Sequence, residues 1–176
     1  ECPTKLFYTG KKQYANQSLD DSFLAALADG GFQVGELAKC YFPGGHDITT
    51  LDYHEALDQT NELLKKENVT IYEAAIRFEN LFIRADVLVK HGKHFKLYEV
   101  KAKSINTRDF ESFFNTKGDI ETGWKSYLCD VAFQKYVIKN AFPGCSVAAH
   151  LMLTDKHALC PTDGLNQKFR LTTDDY

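Results

Sequence analysis

Apolar residues along the chain change their spacing several times, and each change marks an element. Between residues 21 and 41, Phe23, Leu24, Leu27, Val34, Leu37 and Tyr41 recur at helical intervals. Ser18 or Asp20 can cap that helix. Gly30-Gly31 interrupts it, which predicts either two short helices or one bent helix with a close contact at the glycines. Phe42-Pro43-Gly44-Gly45 ends it, and residues 47–50 read as a brief extended piece. A second helix is expected from just after Thr50 to Lys66. It turns Leu51, Ala56, Leu57, Leu63 and Leu64 inward and leaves Glu55, Asp58, Glu62, Lys65 and Lys66 wet. Residues 1–17 read as a short helix or turn.

From residue 70 to residue 104 the period falls to that of strands. The text TIYEAAIRFENLFIRADVLVKHGKHFKLYEVKAKS is rich in β-branched and aromatic residues and is broken at Glu79-Asn80 and at His91-Gly92-Lys93. It predicts a three-stranded meander. Gly92-Lys93 suits a two-residue type II′ loop with glycine first. That loop pairs His91 with His94 and, counting outward, Asp86 with Glu99. A two-residue loop at Glu79-Asn80 pairs Phe78 with Leu81 and brings Glu73 opposite Asp86. The register thus predicts Glu73, Asp86 and Glu99 in one row, with opposed side chains roughly 5 Å apart. Lys101 follows Glu99 by two and shares its face.

Beyond Ser104 the pattern loosens. Phe110, Phe113 and Phe114 lie at helical spacing and suit either a core or stacking on the bases of a single strand. Lys117-Gly118-Asp119 reads as a turn or mobile loop. Residues 123–141 form a strong helical pattern around Trp124, Tyr127, Leu128, Val131, Ala132, Val137 and Ile138, stopped by Pro143-Gly144. Residues 145–154 predict a further buried strand, and residues 156–176 are polar and irregular.

Length favours one domain with one core over residues 1–176, or a fragment of a longer protein, since the chain opens at Glu1 without Met. No apolar run is long enough for a membrane span, and the first residues do not read as a signal peptide; a cytoplasmic setting is expected. The formal charge of −3 argues against a passive nucleic-acid binder. It argues less against a metal-dependent enzyme, whose empty carboxylate site adds negative charge. Basic residues still gather after the third strand, at Lys101, Lys103 and Arg108, and later at Lys117, Lys125, Lys135 and Lys139. Cys2, Cys40, Cys129, Cys145 and Cys160 are odd in number and form no CxxC, so a disulfide framework is not expected.

Three carboxylates in a row repel one another. A divalent cation would offset that repulsion, and Mg²⁺ takes one or two carboxylates together with waters and phosphate oxygens. Lys101 beside the row could orient a water or stabilise charge developing on a phosphate. Arg84 could neutralise the site or pair with Glu73. His46 and His54 are the histidines nearest the site in sequence, with surface or capping roles as the simpler reading.

Asp86 followed by Glu99-Val100-Lys101 on the next strand resembles the signature of the PD-(D/E)xK nuclease superfamily. RADVL and YEVKAKS resemble its RecB-like exonuclease branch. Further pieces are similar to a group of bacterial RecB-type nucleases: CPTKL at residues 2–6, VGELA at 34–38, FPGG at 42–45 and DVAFQ at 130–134. The resemblance implies an α/β (α+β mixed) fold with a restriction-endonuclease-like core of helix, three-stranded antiparallel meander, helix and strand. It implies a deoxyribonuclease, in particular an exonuclease, using Mg²⁺ or Mn²⁺ held by Asp86, Glu99 and the Val100 carbonyl, with Lys101 catalytic. Glu36, in VGELA, matches an acidic position that often joins the metal site, although a solvated helix glutamate is an equal reading. Glu73 and Gln134 would support the shell. In the family a tyrosine follows the glutamine by four residues; here Ile138 stands there and Tyr136 is nearby. Lys103, Arg108, Lys125, Lys135 and Tyr136 would contact DNA. Some relatives hold an iron–sulfur cluster with one N-terminal and three C-terminal cysteines; Cys2 matches the first, but the closely spaced C-terminal set is missing, so no cluster is expected. The rival reading is a non-catalytic module of the same fold that binds DNA, a helicase or a repair partner.

Overall fold

The computed structural model describes residues 3–8, 11, 13, 14, 22–108, 113–159 and 161. Its elements in chain order are α1 (Pro3–Tyr8), α2 (Ser22–Lys39), β1 (His46–Asp47), α3 (Tyr53–Leu64), β2 (Asn68–Phe78), β3 (Leu81–His91), β4 (His94–Ile105), α4 (Thr122–Ala141) and β5 (Ser146–Asp155). The strands form one mixed sheet in the order β1-β2-β3-β4-β5. The central meander is antiparallel, while β1 runs parallel to β2 and β5 parallel to β4. The fold is mixed α/β, the class expected. No helix among the described residues is long and apolar enough to cross a membrane.

Turn chemistry sets the meander. Gly92 has φ 55°, which glycine adopts without strain, and His91 pairs with His94. Phe78 pairs with Leu81 across the other loop, where Glu79 carries φ 53°. The pairs beside the two loops are those expected. Asp52 starts α3: its carboxylate accepts the backbone N–H groups of His54 and Glu55, each at 2.9 Å.

α3 and α4 cover one face of the sheet. Ile71, Leu88, Leu97 and Phe95 meet Ala56 of α3 and Val137 and Ile138 of α4 in the main core. The Thr60 hydroxyl, fully buried, accepts the Ala75 N–H at 3.0 Å and ties α3 to β2. The other face carries a smaller cluster of Tyr72, Val87 and Val89, backed by Phe42, Tyr98 and Val100, and α2 contacts β4. The Tyr72 hydroxyl donates to the Phe42 carbonyl and accepts the Gly45 N–H at 3.2 Å. A Cβ at Gly45 would stand 2.3 Å from the Tyr72 ring, so the turn after α2 needs glycine there.

Two expectations change. α2 runs unbroken through Gly30 and Gly31, and among the described residues no heavy atom stands within 4 Å of a Cβ built at either, so the expected close contact is not found there. β5 is an edge strand of half-exposed residues rather than a buried one. Among the described residues, β4 is its one neighbour in the sheet. Of the three phenylalanines, Phe113 stacks on Trp124 at 5.2 Å between ring centroids and Phe114 is half exposed. Phe110, Cys2, Cys160 and most of residues 156–176 lie outside the described residues; Cys40, Cys129 and Cys145 are free thiols.

Candidate active site

In an uninterrupted strand, residues two apart share a face. β3 departs from this. Ile83 and Ala85 belong to the main core, whereas Val87 and Val89 belong to the cluster on the opposite face. β2 departs likewise, since Ile71 and Ile76, five apart, both lie in the main core. The breaks fall on Glu73 and Asp86. Tyr72 pairs with Val87 and Ala74 with Ala85, but the pair between them is missing, and Glu73 has φ 56°. On the other side of β3, pairing with β4 stops at Val87–Tyr98. Where the strands part, the Asp86 carboxylate accepts the Val100 N–H at 2.6 Å. A side chain thus satisfies a backbone donor that the neighbouring strand has left.

The predicted row of three carboxylates is therefore corrected. The register brings the three strand positions together, but the phase break divides the side chains. Glu73 and Asp86 line a cavity of about 760 Å³ between the sheet and α2. Glu99, only 3% exposed, turns toward α4. Its Oε1 takes the Lys101 ammonium at 2.5 Å, and its Oε2 accepts Gln134 Nε2 at 2.5 Å. Lys101 also reaches Asp130 of α4 at 3.0 Å and lines the cavity, so it links the two sides. Asp130 was missed as a site residue. Its signal was present, because Asp130 and Gln134 are four apart and share a helix face.

Burial raises the Asp86 carboxyl above the usual range, and although the Val100 N–H opposes this, Glu73 adds to the rise. Burial, then the negative charge of Asp86, pushes Glu99 up to about 7 against the pull of Lys101. Burial alone would lower Lys101, but its bonds to Glu99 and Asp130 outweigh burial and hold the ammonium above its ordinary value. Asp130 is raised by desolvation and lowered more by Lys101, ending below its ordinary value. The site is a crowd of acids around one firmly charged lysine.

The remaining expected residues sit as follows. Glu36 reaches the cavity wall, but its side chain is 70% exposed and pairs with Lys39 at 2.6 Å; Lys39 also holds Asp47. Arg84 is a clamp: it donates to the Thr50 and Ile48 carbonyls at 2.7 and 2.6 Å and to Glu73 at 3.3 Å. Lys103 donates to the Gly123 carbonyl at 3.0 Å and lies over the Trp124 ring. Arg108, Lys125, Lys135 and Tyr136 are exposed, with Tyr136 edge-on to Phe78. His46 lines a separate cavity, 3.0 Å from Lys66, and His54 is exposed.

Among the described residues, no group of three or more His, Cys, Asp and Glu side chains is arranged to hold a metal ion. The donor chemistry fits a hard cation bound by fewer protein groups. Asp86 keeps one oxygen clear of Val100, and Mg²⁺ needs only one or two carboxylates beside its waters. Glu99 could join only by releasing Lys101 from Oε1. Gln134 Oε1 is buried with no hydrogen-bond partner among the described residues. No family model, curated protein or solved structure matches the chain.

Proposed function

We propose that the protein is a metal-dependent deoxyribonuclease, acting as an exonuclease, with Asp86, Glu99 and Lys101 at its centre. The observation that carries this reading is the Asp86 carboxylate seated where β3 and β4 part, with Lys101 bridging Glu99 and Asp130 beside it. An ordinary sheet gains nothing from burying these charges. Mg²⁺ or Mn²⁺ held by Asp86, Glu99 and the Val100 carbonyl would supply an activated water and polarise the phosphoryl oxygen.

The chain's own groups supply the rest. The Lys101 ammonium has three N–H donors; with Glu99 turned to a metal, Asp130 keeps one of them, and the others are left for a phosphoryl oxygen as negative charge develops on it. Gln134 fixes the orientation of Glu99. Arg84 holds Glu73 against the 48–50 segment and so shapes the cavity wall. Arg108, Lys125 and Lys135 would grip the DNA backbone from outside, which makes binding weaken with salt.

A second reading is a non-catalytic module binding DNA, a helicase or a repair partner. It draws on one observation: both Glu99 oxygens are already engaged. Incubation with linear and circular DNA plus Mn²⁺ separates the two. The nuclease reading expects linear DNA to shorten, circular DNA to persist, and Lys101→Ala to slow digestion by about 100-fold or more. Wild type and Lys101→Ala acting alike would sink it, and DNA bound but undigested would favour the module.

A further inference from the structure

At the end of the sheet marked by the Gly92-Lys93 loop lies a second cavity, of about 280 Å³. β1 touches both cavities: His46 borders this one and Asp47 the one beside Asp86. Gly44, Lys66, Asn68, Val69, Thr70 and His91 complete its described lining. That lining holds hydrogen-bond donors and a cation but no Asp or Glu. Lys66 differs from the cations of the first cavity, each of which pairs with an acid. Its ammonium lies 3.0 Å from His46 Nε2, and among the described residues no carboxylate pairs with it. An ammonium only donates, so His46 Nε2 carries the lone pair and Nδ1 keeps the proton. His91 Nδ1 lies 3.1 Å from Asn68 Oδ1, a contact that leaves the Asn68 NH₂ group as a donor. The Lys90 ammonium holds the Lys66 and Glu67 carbonyls at 2.5 and 3.3 Å, so the acceptors of that loop already serve a cation. The adjoining chain has the same sign: residues 87–98 contain Lys90, His91, Lys93, His94 and Lys96 and no acid, in a protein of formal charge −3. Charge of one sign around a concave site concentrates ions of the other.

We infer that this cavity binds a phosphate dianion, free or as the terminal group of a small phosphate ester, held by Lys66, His46 and His91 with Asn68 and Thr70 donating. The site is separate from the Asp86–Lys101 centre and does not depend on the nucleolytic reading. The donors come from β1, from the loop after α3 and from the paired strands β2 and β3. Five donor-bearing side chains exceed what the two oxygens of a carboxylate can use and suit the oxygens of a phosphate. Hydrogen bonds from a cation to an anionic oxygen are the strong kind. A water molecule takes about 30 Å³ in the liquid, so the cavity has room for the ion with some of its water, or with the first atoms of an ester. An occupant would tie three segments together and, by binding the folded chain alone, would stabilise it.

The test is calorimetric titration of the protein with inorganic phosphate at pH 7 and constant ionic strength, with imidazole NMR to locate the ion. One saturable site is expected, with the His46 and His91 resonances moving and those of His94 and His150 unmoved. Lys66→Met should weaken binding by about tenfold to a hundredfold, the loss of one hydrogen bond to a charged group. Asn68→Ala, which keeps Lys66, should weaken it less. Lys93→Met removes an exposed charge outside the cavity and should leave binding within about twofold, since screening blunts a distant charge. A parallel titration with deoxyadenosine 5′-monophosphate separates the two sources. Tighter binding than the free ion assigns the site to an ester, weaker binding to the ion itself, and each supports the site. Absence of saturable binding of either, equal weakening by Lys66→Met and Lys93→Met, acetate binding as tightly as phosphate, or shifts confined to His94 and His150 would overturn the inference.

Discussion

The Asp86 carboxylate accepts the Val100 N–H at 2.6 Å, and so closes the gap where β3 and β4 separate. One side chain therefore has two tasks. It replaces a lost ladder bond, and it holds a raised-pKa acid against Glu73 and the cavity.

These tasks should separate under substitution. Asp86→Asn keeps an acceptor for Val100 and removes a buried charge, so its stability in chelator should match or exceed wild type. Asp86→Ala leaves Val100 unpaired and should cost about 1–3 kcal/mol. Urea denaturation distinguishes them, and both should lose metal-dependent digestion.

Glu99 gives a pH signature. Its folded pKa, about 7, lies above its ordinary 4.5. Between those values the folded protein holds a proton that the unfolded chain has released, so this group's contribution is complete below pH 4.5 and declines as pH rises through 7. Glu99→Gln mimics the protonated form. Measured in chelator, its stability relative to wild type should rise between pH 5 and pH 8, by on the order of 2–3 kcal/mol. A pH-independent difference would refute the raised pKa.

Lys101 is paired with Glu99 and Asp130, and breaking a buried pair is costly because the partner is left charged. Lys101→Met should destabilise the protein by about 2–3 kcal/mol at pH 8, less than a fully buried pair because the Lys101 side chain keeps 28% of its surface exposed. Much of the loss should vanish at pH 5, where Glu99 is protonated. Thermal melts at the two pH values check this.

Gln134 donates to Glu99 from a buried position on α4 and stands 3.5 Å from Asp130. Gln134→Glu removes the donor and sets a third carboxyl between two. We expect a loss of about 1–3 kcal/mol at pH 8, smaller at pH 5, whereas Gln134→Leu should show less pH dependence. Chemical denaturation at both pH values tests the pair.

Glu79 carries φ 53° in an exposed hairpin loop. An L side chain there costs about 1 kcal/mol. Glu79→Gly should raise stability by about 0.5–1 kcal/mol without touching the site, as a shift in urea midpoint. Glu73, with φ 56°, is a poorer subject because its carboxylate also pairs with Arg84.

Much of the fold is legible in the chain. Alternating apolar residues and the loops at Glu79-Asn80 and Gly92-Lys93 determine the meander and the pairs beside each loop, because a two-residue loop leaves those pairs no freedom. Helical spacing determines α3 and α4, and counting along the strands brings residues 73, 86 and 99 to one level of the sheet. The direction of each side chain was decided elsewhere. Period-two counting holds only while the ladder is unbroken, and nothing in the chain marks Glu73 as left-handed or β3 and β4 as parting after Val87–Tyr98. Packing made those choices. Val87 and Val89 fill one face with Tyr72, Ile83 and Ala85 fill the other beneath α3 and α4, and the backbone between them must skip a step. Glu99 faces Gln134 and Asp86 faces the cavity for that reason. Asp130 reaches Lys101 only because α4 folds back across the sheet, a long-range contact that local spacing does not encode.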